Sequence, residues 1–200
     1  IKAAISKYYG EYYLLGEGVS TYDLKNTVTA DMTTVNIIAI AAVFIVLLLT
    51  EKSLSLPILL VAAIETAIYI NMSVPYYRSS SVFYIAYLII SSIQLGATVD
   101  YAILLSERYL EERKSLNKAD AAINTVSMTA VSILTSATAM IVVGILLGKF
   151  STHGLISQLG YLLAIGTTAS LVIVLFVLPG LLYSLDGLIQ KTTKNTEFVN

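Results

Sequence analysis

The chain has 200 residues, 56% of them hydrophobic and 12% charged, with a net charge of -1 at pH 7 and a mean hydropathy of +0.80. A soluble domain has roughly a quarter of its residues charged and a disordered chain needs low hydrophobicity with high charge, so both are excluded and a membrane protein is left. No basic tract is present to neutralise a phosphate backbone, which argues against nucleic acid. Cysteine is absent and His153 is the single histidine, so neither a cofactor nor a metal is expected.

Residues 1–30 differ from the rest. Tyr12–Leu15 reads as a short strand and Gly16-Glu17-Gly18 as a turn. Ser20, with Asp23 three residues on, reads as the N-cap of a helix that runs into the membrane. A stretch this short cannot build its own core. It is expected to be the remnant of an extracytoplasmic α+β domain. The chain opens on Ile1 with no basic-then-apolar leader, so it reads as a piece of a longer protein.

Beyond Asp31, charged residues punctuate long apolar runs. Met32–Thr50 and Ala121–Gly148 carry no charge; between Lys52 and Arg78 only Glu65 is charged, and between Arg78 and Glu107 only Asp100. A bilayer core takes about 20 apolar residues per helix, and open strands cannot cross lipid with unpaired backbone groups. The runs predict an all-α membrane domain over 31–185. Its five spanning helices lie near 32–50, 54–74, 82–106, 121–148 and 155–184, and a tail follows over 186–200.

Pro57 falls in the first turn of the second helix, where its missing N–H costs little. Pro75 is expected just past that helix's end, and Pro179-Gly180 in the last turns of the fifth. Tyr69, Tyr76, Tyr77 and Tyr84 read as an interfacial belt at one membrane face, Tyr109 and Tyr183 at the other. Lys52, Arg108, Arg113, Lys114, Lys118, Lys191 and Lys194 fall on one side, against Arg78 and Lys149 on the opposite one. That asymmetry predicts a multi-pass protein with a cytoplasmic C-terminus.

Asp100 is the strongest chemical signal. A carboxylate deep in a spanning helix costs a few kcal/mol on insertion scales, so it is expected to face a bundle interior or a water-filled cavity. Burial disfavours its charged form, which suits a group that loads and unloads a proton. Tyr101 adds a hydroxyl beside it. Gly96 lies one turn earlier on the same face, where a small residue lets another helix approach. The competing reading is a structural carboxyl bonded to a neighbouring helix. Glu65, the second intramembrane acid, reads as a further protonation site, as part of a substrate path, or as a neutral group held by a hydroxyl.

The fourth helix is rich in hydroxyls, among them Thr125, Thr129, Ser132, Thr135 and Ser136. Ser132 and Ser136, one turn apart, either support the Asp100 relay or act as helix–helix glue at about 0.6 kcal/mol each; Ser136 is the best single candidate for the relay. Gly144-x-x-x-Gly148, Gly160-x-x-x-Ala164 and Gly166-x-x-x-Ser170 read as close-packing motifs. Glu107–Lys114 reads as a solvated helix end that fixes topology, and His153 as a solvated loop residue. No Walker loop, G-x-S-x-G, HExxH or GxGxxG occurs, and no nucleophile–base set is visible, so an enzyme is not expected.

Gly96-Ala-Thr-Val-Asp100-Tyr101, followed by Ala-Ile-Leu-Leu-Ser-Glu-Arg108-Tyr109-Leu-Glu111-Glu112, resembles the GxxxDY helix of the MMPL branch of the RND-superfamily transporters. Thr135-Ser136-Ala-Thr-Ala139 and Gly144 look like that family's next helix, and Thr21–Asp31 like the exit from its second porter domain. The resemblance implies the last five helices of the second half of a two-half transporter. Asp100 and Tyr101 would relay protons together with a matching pair from the missing N-terminal half. The proton gradient would drive export of lipids or other hydrophobic molecules across the cell membrane. Glu65 lies outside the motif. Two other classes stay open: a SecDF-like or sterol-sensing module of the same superfamily, serving as export accessory or receptor, and a structural membrane anchor.

Overall fold

The structure, a computed structural model, describes residues 16–51, 53–79 and 81–193. The chain divides into two units, Ile1–Ile38 and Ala39–Asn200. The strand expected at Tyr12–Leu15 lies outside the described residues.

In the first unit, helix α1 (Glu17–Thr50) begins directly after Gly16, whose φ of +149° is one that L side chains rarely adopt. Glu17 then brings a carboxylate to the positive end of the helix dipole. The helix therefore starts ahead of Ser20, which is an interior residue instead of the N-cap.

In the second unit, the end of α1 contributes the fully buried Leu47. It is followed by α2 (Ser55–Tyr77), α3 (Tyr84–Glu112), α4 (Lys118–Phe150) and α5 (Gly154–Val172). A π-helical turn (Ile173–Val177), α6 (Leu178–Ser184) and α7 (Asp186–Thr192) complete the unit. The described residues contain no strand, only an isolated bridge between Ser53 and Thr193. Among the described residues five stretches are long and apolar enough to cross a membrane: Asp31–Thr50, Ser55–Tyr77, Ala86–Glu112, Lys118–Phe150 and Gly154–Ser184. The fold is thus the expected all-α membrane bundle. Its core joins Leu60, Ile64 and Ala67 of α2 to Ala102 and Leu105 of α3, Ile133 and Ala137 of α4, and Val174 and Leu178 beyond α5. Ile123, Val131, Val142 and Val143 face outward, an apolar exterior suited to lipid.

The helix ends follow from local chemistry. Asn117 caps α4: its side-chain oxygen accepts from the N–H groups of Ala119 and Asp120, both at 3.0 Å. Lys149, in the last turn, suits the negative end of the dipole. Pro75 is inside α2 instead of beyond it. Only the last turn is affected, and the helix closes two residues later, where Arg78 donates its N–H to Val74 and Ser79 adopts φ 49°. Pro179 acts more strongly. Its ring and absent N–H disturb the preceding turn, and the chain responds with the π turn, in which Leu178 donates back to Ile173.

Small residues set the tightest helix contact. A Cβ on Gly144 would lie 2.8 Å from the backbone nitrogen of Ala164, and Gly160 lies against the backbone of Gly148 and Gly144. The two glycine motifs therefore interlock α4 with α5. Segment 186–200, expected as a tail, instead forms α7 over its described part. Ile189 is fully buried, and Thr192 bonds the hydroxyls of Ser53 and Ser55 at 2.9 and 2.7 Å.

Candidate functional site

Helix α3 carries the candidate site. Asp100 sits at the middle of the Ala86–Glu112 span and is exposed on the surface of the described helices. It was expected to face an interior; within this chain it faces outward. Gly96, one turn earlier, is also exposed, and a Cβ there would meet nothing within 4 Å. Gly96 therefore relieves no crowding within the described bundle, in contrast to Gly144 and Gly160.

Tyr101 turns the other way. Its ring is 7% exposed, within the core cluster, and its hydroxyl donates to Ser136 of α4 at 3.4 Å. That is long for a bond between hydroxyls, but it joins the two helices at this level. Ser132 and Ser136 are both exposed, one turn apart on α4. Glu65 is half-buried near the middle of α2, and no hydrogen bond or ion pair joins it to Asp100 or Tyr101. The structure thus brings Tyr101 to Ser136, sets Asp100 beside them in sequence on an open face, and leaves Glu65 separate.

Two polar clusters lie outside the residues singled out from sequence. The first is at membrane depth. Asn71 of α2 donates to Gln94 of α3 at 2.8 Å and to the carbonyl of Leu162 in α5 at 3.0 Å. Gln94 donates to the carbonyl of Gly166 and to Ser170, at 3.3 and 3.2 Å. The three side chains, Asn71, Gln94 and Ser170, are all buried, and a Cβ on Gly166 would sit 2.6 Å from Gln94 Oε1. In hydrocarbon such amides have few other partners, so the network joins α2, α3 and α5. Gly166-x-x-x-Ser170 proves to be an acceptor pair as well as a packing motif. Asn71 and Gln94 were visible in sequence by the rule applied to Asp100: polar residues inside apolar runs.

The second cluster lies at the far end of α3. Tyr109, expected as an interfacial residue, is fully buried and donates to Asp186 at 2.7 Å. Arg113, expected in a solvated end, is 2% exposed and holds the same carboxylate at 2.9 and 3.0 Å, with a further bond to the carbonyl of Leu116. The bond to Asp186 holds the Arg113 guanidinium more firmly charged than usual. Nearby, Ser106 donates to Glu51 at 2.5 Å. Burial pushes the Glu51 carboxyl above the usual carboxylate range, with the neighbouring Glu107 adding to the shift and the Ser106 bond opposing it. Arg108, by contrast, forms partly exposed pairs with Glu111 and Glu112, as the solvated-end reading expects. His153 is exposed. Among the described residues no group of three or more His, Asp or Glu could hold a metal ion.

Fold and site together define a multi-pass helical membrane protein with ionisable and amide groups held at bilayer depth. The profile of the MMPL family matches residues 10–195. The chain therefore belongs to the MMPL family, whose proteins are membrane transporters. It is 36% identical over 93 residues to a Methanocaldococcus jannaschii protein named "Putative membrane protein MJ1562", a match covering 46% of this chain and 24% of that one. The matched stretch is thus about a quarter of that relative's length. No solved structure matches the chain significantly.

Proposed function

We propose that the chain is part of a proton-motive-force-driven exporter of lipids or other hydrophobic molecules, with Asp100 and Tyr101 as its intramembrane proton relay. The observation that carries this reading is the mid-span carboxylate on an open, small-residue face. A carboxylate left in hydrocarbon is costly. A face that combines Asp100 with the bare Gly96 one turn earlier is suited to a second protein surface that closes over it. The N-terminal half of the complete transporter, with its own Asp-Tyr pair, is the partner of this kind that the family resemblance implies. Tyr101, next to Asp100 in sequence, would support the relay through its hydroxyl contact with Ser136.

The energetics suffice. One charge crossing 100 mV releases about 2.3 kcal/mol before any pH gradient is added. Protonation of Asp100 would bias two alternative helix packings, and the packings would move the cargo. On this reading the α7 end is cytoplasmic, as the excess of basic residues on its side favours, and the protein lies in the cell membrane, across which a proton gradient would drive it. Glu65 has no assigned step.

The test is infrared difference spectroscopy on the full-length protein in lipid. A carboxylic-acid band that titrates with pH and disappears in Asp100→Asn is the expected result. A spectrum with no Asp100-dependent band at any pH would remove the relay and leave Asp100 as a fixed structural group.

A further inference from the structure

Opposite the Arg113 end, between the close of α2 and the start of α5, lies a cleft of about 420 Å³, within the size range of small-ligand sites. Its walls include Val74, Arg78, Gln158, Tyr161, Leu162 and Ile165. Most of its polar groups are already engaged. The Gln158 amide accepts from the N–H of Phe83 at 2.9 Å and donates to the carbonyl of Ser81 at 2.9 Å, which fixes the α2–α3 loop. Ser157 donates to the carbonyl of Gly148 at 2.7 Å. The carbonyl of Leu162 takes the Asn71 amide. Two donors are left without a hydrogen-bond or ion-pair partner among the described residues: the Arg78 guanidinium and the Tyr161 hydroxyl. Gly148 lets the Tyr161 ring lie close to α4, since a Cβ there would be 3.0 Å from the ring.

Charge decides what such a cleft would hold. The sequence has no carboxylate between Glu65 and Asp100 and none between Asp120 and Asp186, so the segments that form the walls carry no acid. Arg78 is a planar, permanently charged donor matched to phosphate oxygens. Below it Val74, Leu162 and Ile165 offer an aliphatic wall within the spans Ser55–Tyr77 and Gly154–Ser184. A cation above an apolar wall, at the end of spanning helices, matches an anionic head group above its acyl chains.

We infer that this cleft is a binding site for an anionic phospholipid of the leaflet at the Arg78 end, with the phosphate on Arg78 and Tyr161 and the upper acyl chain against Val74, Leu162 and Ile165. The cleft holds the head group and the first part of the chains; the rest lies in the bilayer. The site does not depend on Asp100 or on the proton relay.

Native mass spectrometry of the full-length protein, loaded with phosphatidylglycerol or phosphatidylcholine, tests it. The wild type is expected to retain phosphatidylglycerol preferentially. Arg78→Gln should lower that retention about tenfold, the loss of about 1.4 kcal/mol. Arg78→Lys should recover part of it and also show that a side-chain change at this position leaves the protein intact. Lys149→Gln removes an equal charge from the same end of the bundle and should leave retention unchanged. Equal retention of the two lipids, equal loss in Lys149→Gln, or full displacement of the lipid by millimolar inorganic phosphate would each overturn the proposal. These results would mean, respectively, a neutral-lipid groove, a diffuse charge effect and a site for a free anion.

Discussion

At the scale of single residues, the most constrained group is Asp186. It receives Tyr109 and Arg113 where all three side chains are buried. Removing one member of a buried, paired set leaves an uncompensated charge at a cost of about 3–5 kcal/mol. Asp186→Ala should therefore lower the melting temperature in detergent sharply, whereas Glu111→Ala, at the partly exposed pair with Arg108, should cost less than about 1 kcal/mol of stability and barely move the melting temperature; equal effects would contradict the burial. Glu51 gives a pH signature. Its carboxyl is shifted upward from the usual 4.5 by burial, so its contribution to stability is present at low pH and is lost as pH rises through the folded-state value. Glu51→Gln keeps an acceptor for Ser106 and removes the charge. The variant should melt higher than wild type at pH 8, and the gap should close towards pH 4.5. A gap that widens on acidification would reverse the sign. Asp100 was legible in the sequence because one carboxylate in an apolar run has few places to go. The Arg113–Asp186 pair was not, because its members are 73 residues apart and each resembles an ordinary helix-end charge.

At the scale of elements, the spans were legible and their ends were less so. A run such as Met32–Thr50 fixes a helix by length and hydropathy alone. Where helices stop depends on caps and turns formed by few residues, so α4 starts at Lys118 because Asn117 caps it, and α2 continues through Pro75 because a late proline costs one bond only. Nothing in the apolar pattern announces the π turn before Pro179. The two kinds of glycine could be told apart only in three dimensions. Gly160 lies against the backbone of α4, and Gly96 faces open space. Gly160→Val should therefore cost about 1–3 kcal/mol through overpacking, read as a lower unfolding temperature. Gly96→Ala should leave the thermal stability of this region unchanged. If the Gly96 face is covered by the other half of the transporter, the same variant should reduce transport in the full-length protein.

At the scale of the whole molecule, the unit Ala39–Asn200 is a bundle held by interlocked glycines, a buried amide network and a charged clamp at one end, with a carboxylate left on an open face at mid-span. Family membership makes it an MMPL-family membrane protein; the proposed coupling makes Asp100 the point where proton movement meets helix movement. Its fold class could be read from hydropathy, and its family from the GxxxDY helix. The outward aim of Asp100 could not, because helical periodicity gives the angle between residues and not which face the neighbouring helices cover. The most direct measurement is proton-driven transport by the full-length protein in sealed vesicles with an imposed proton gradient, comparing wild type with Asp100→Asn. Transport and proton uptake should both vanish in a variant that still inserts and melts like wild type. Undiminished gradient-driven transport by Asp100→Asn would contradict the relay.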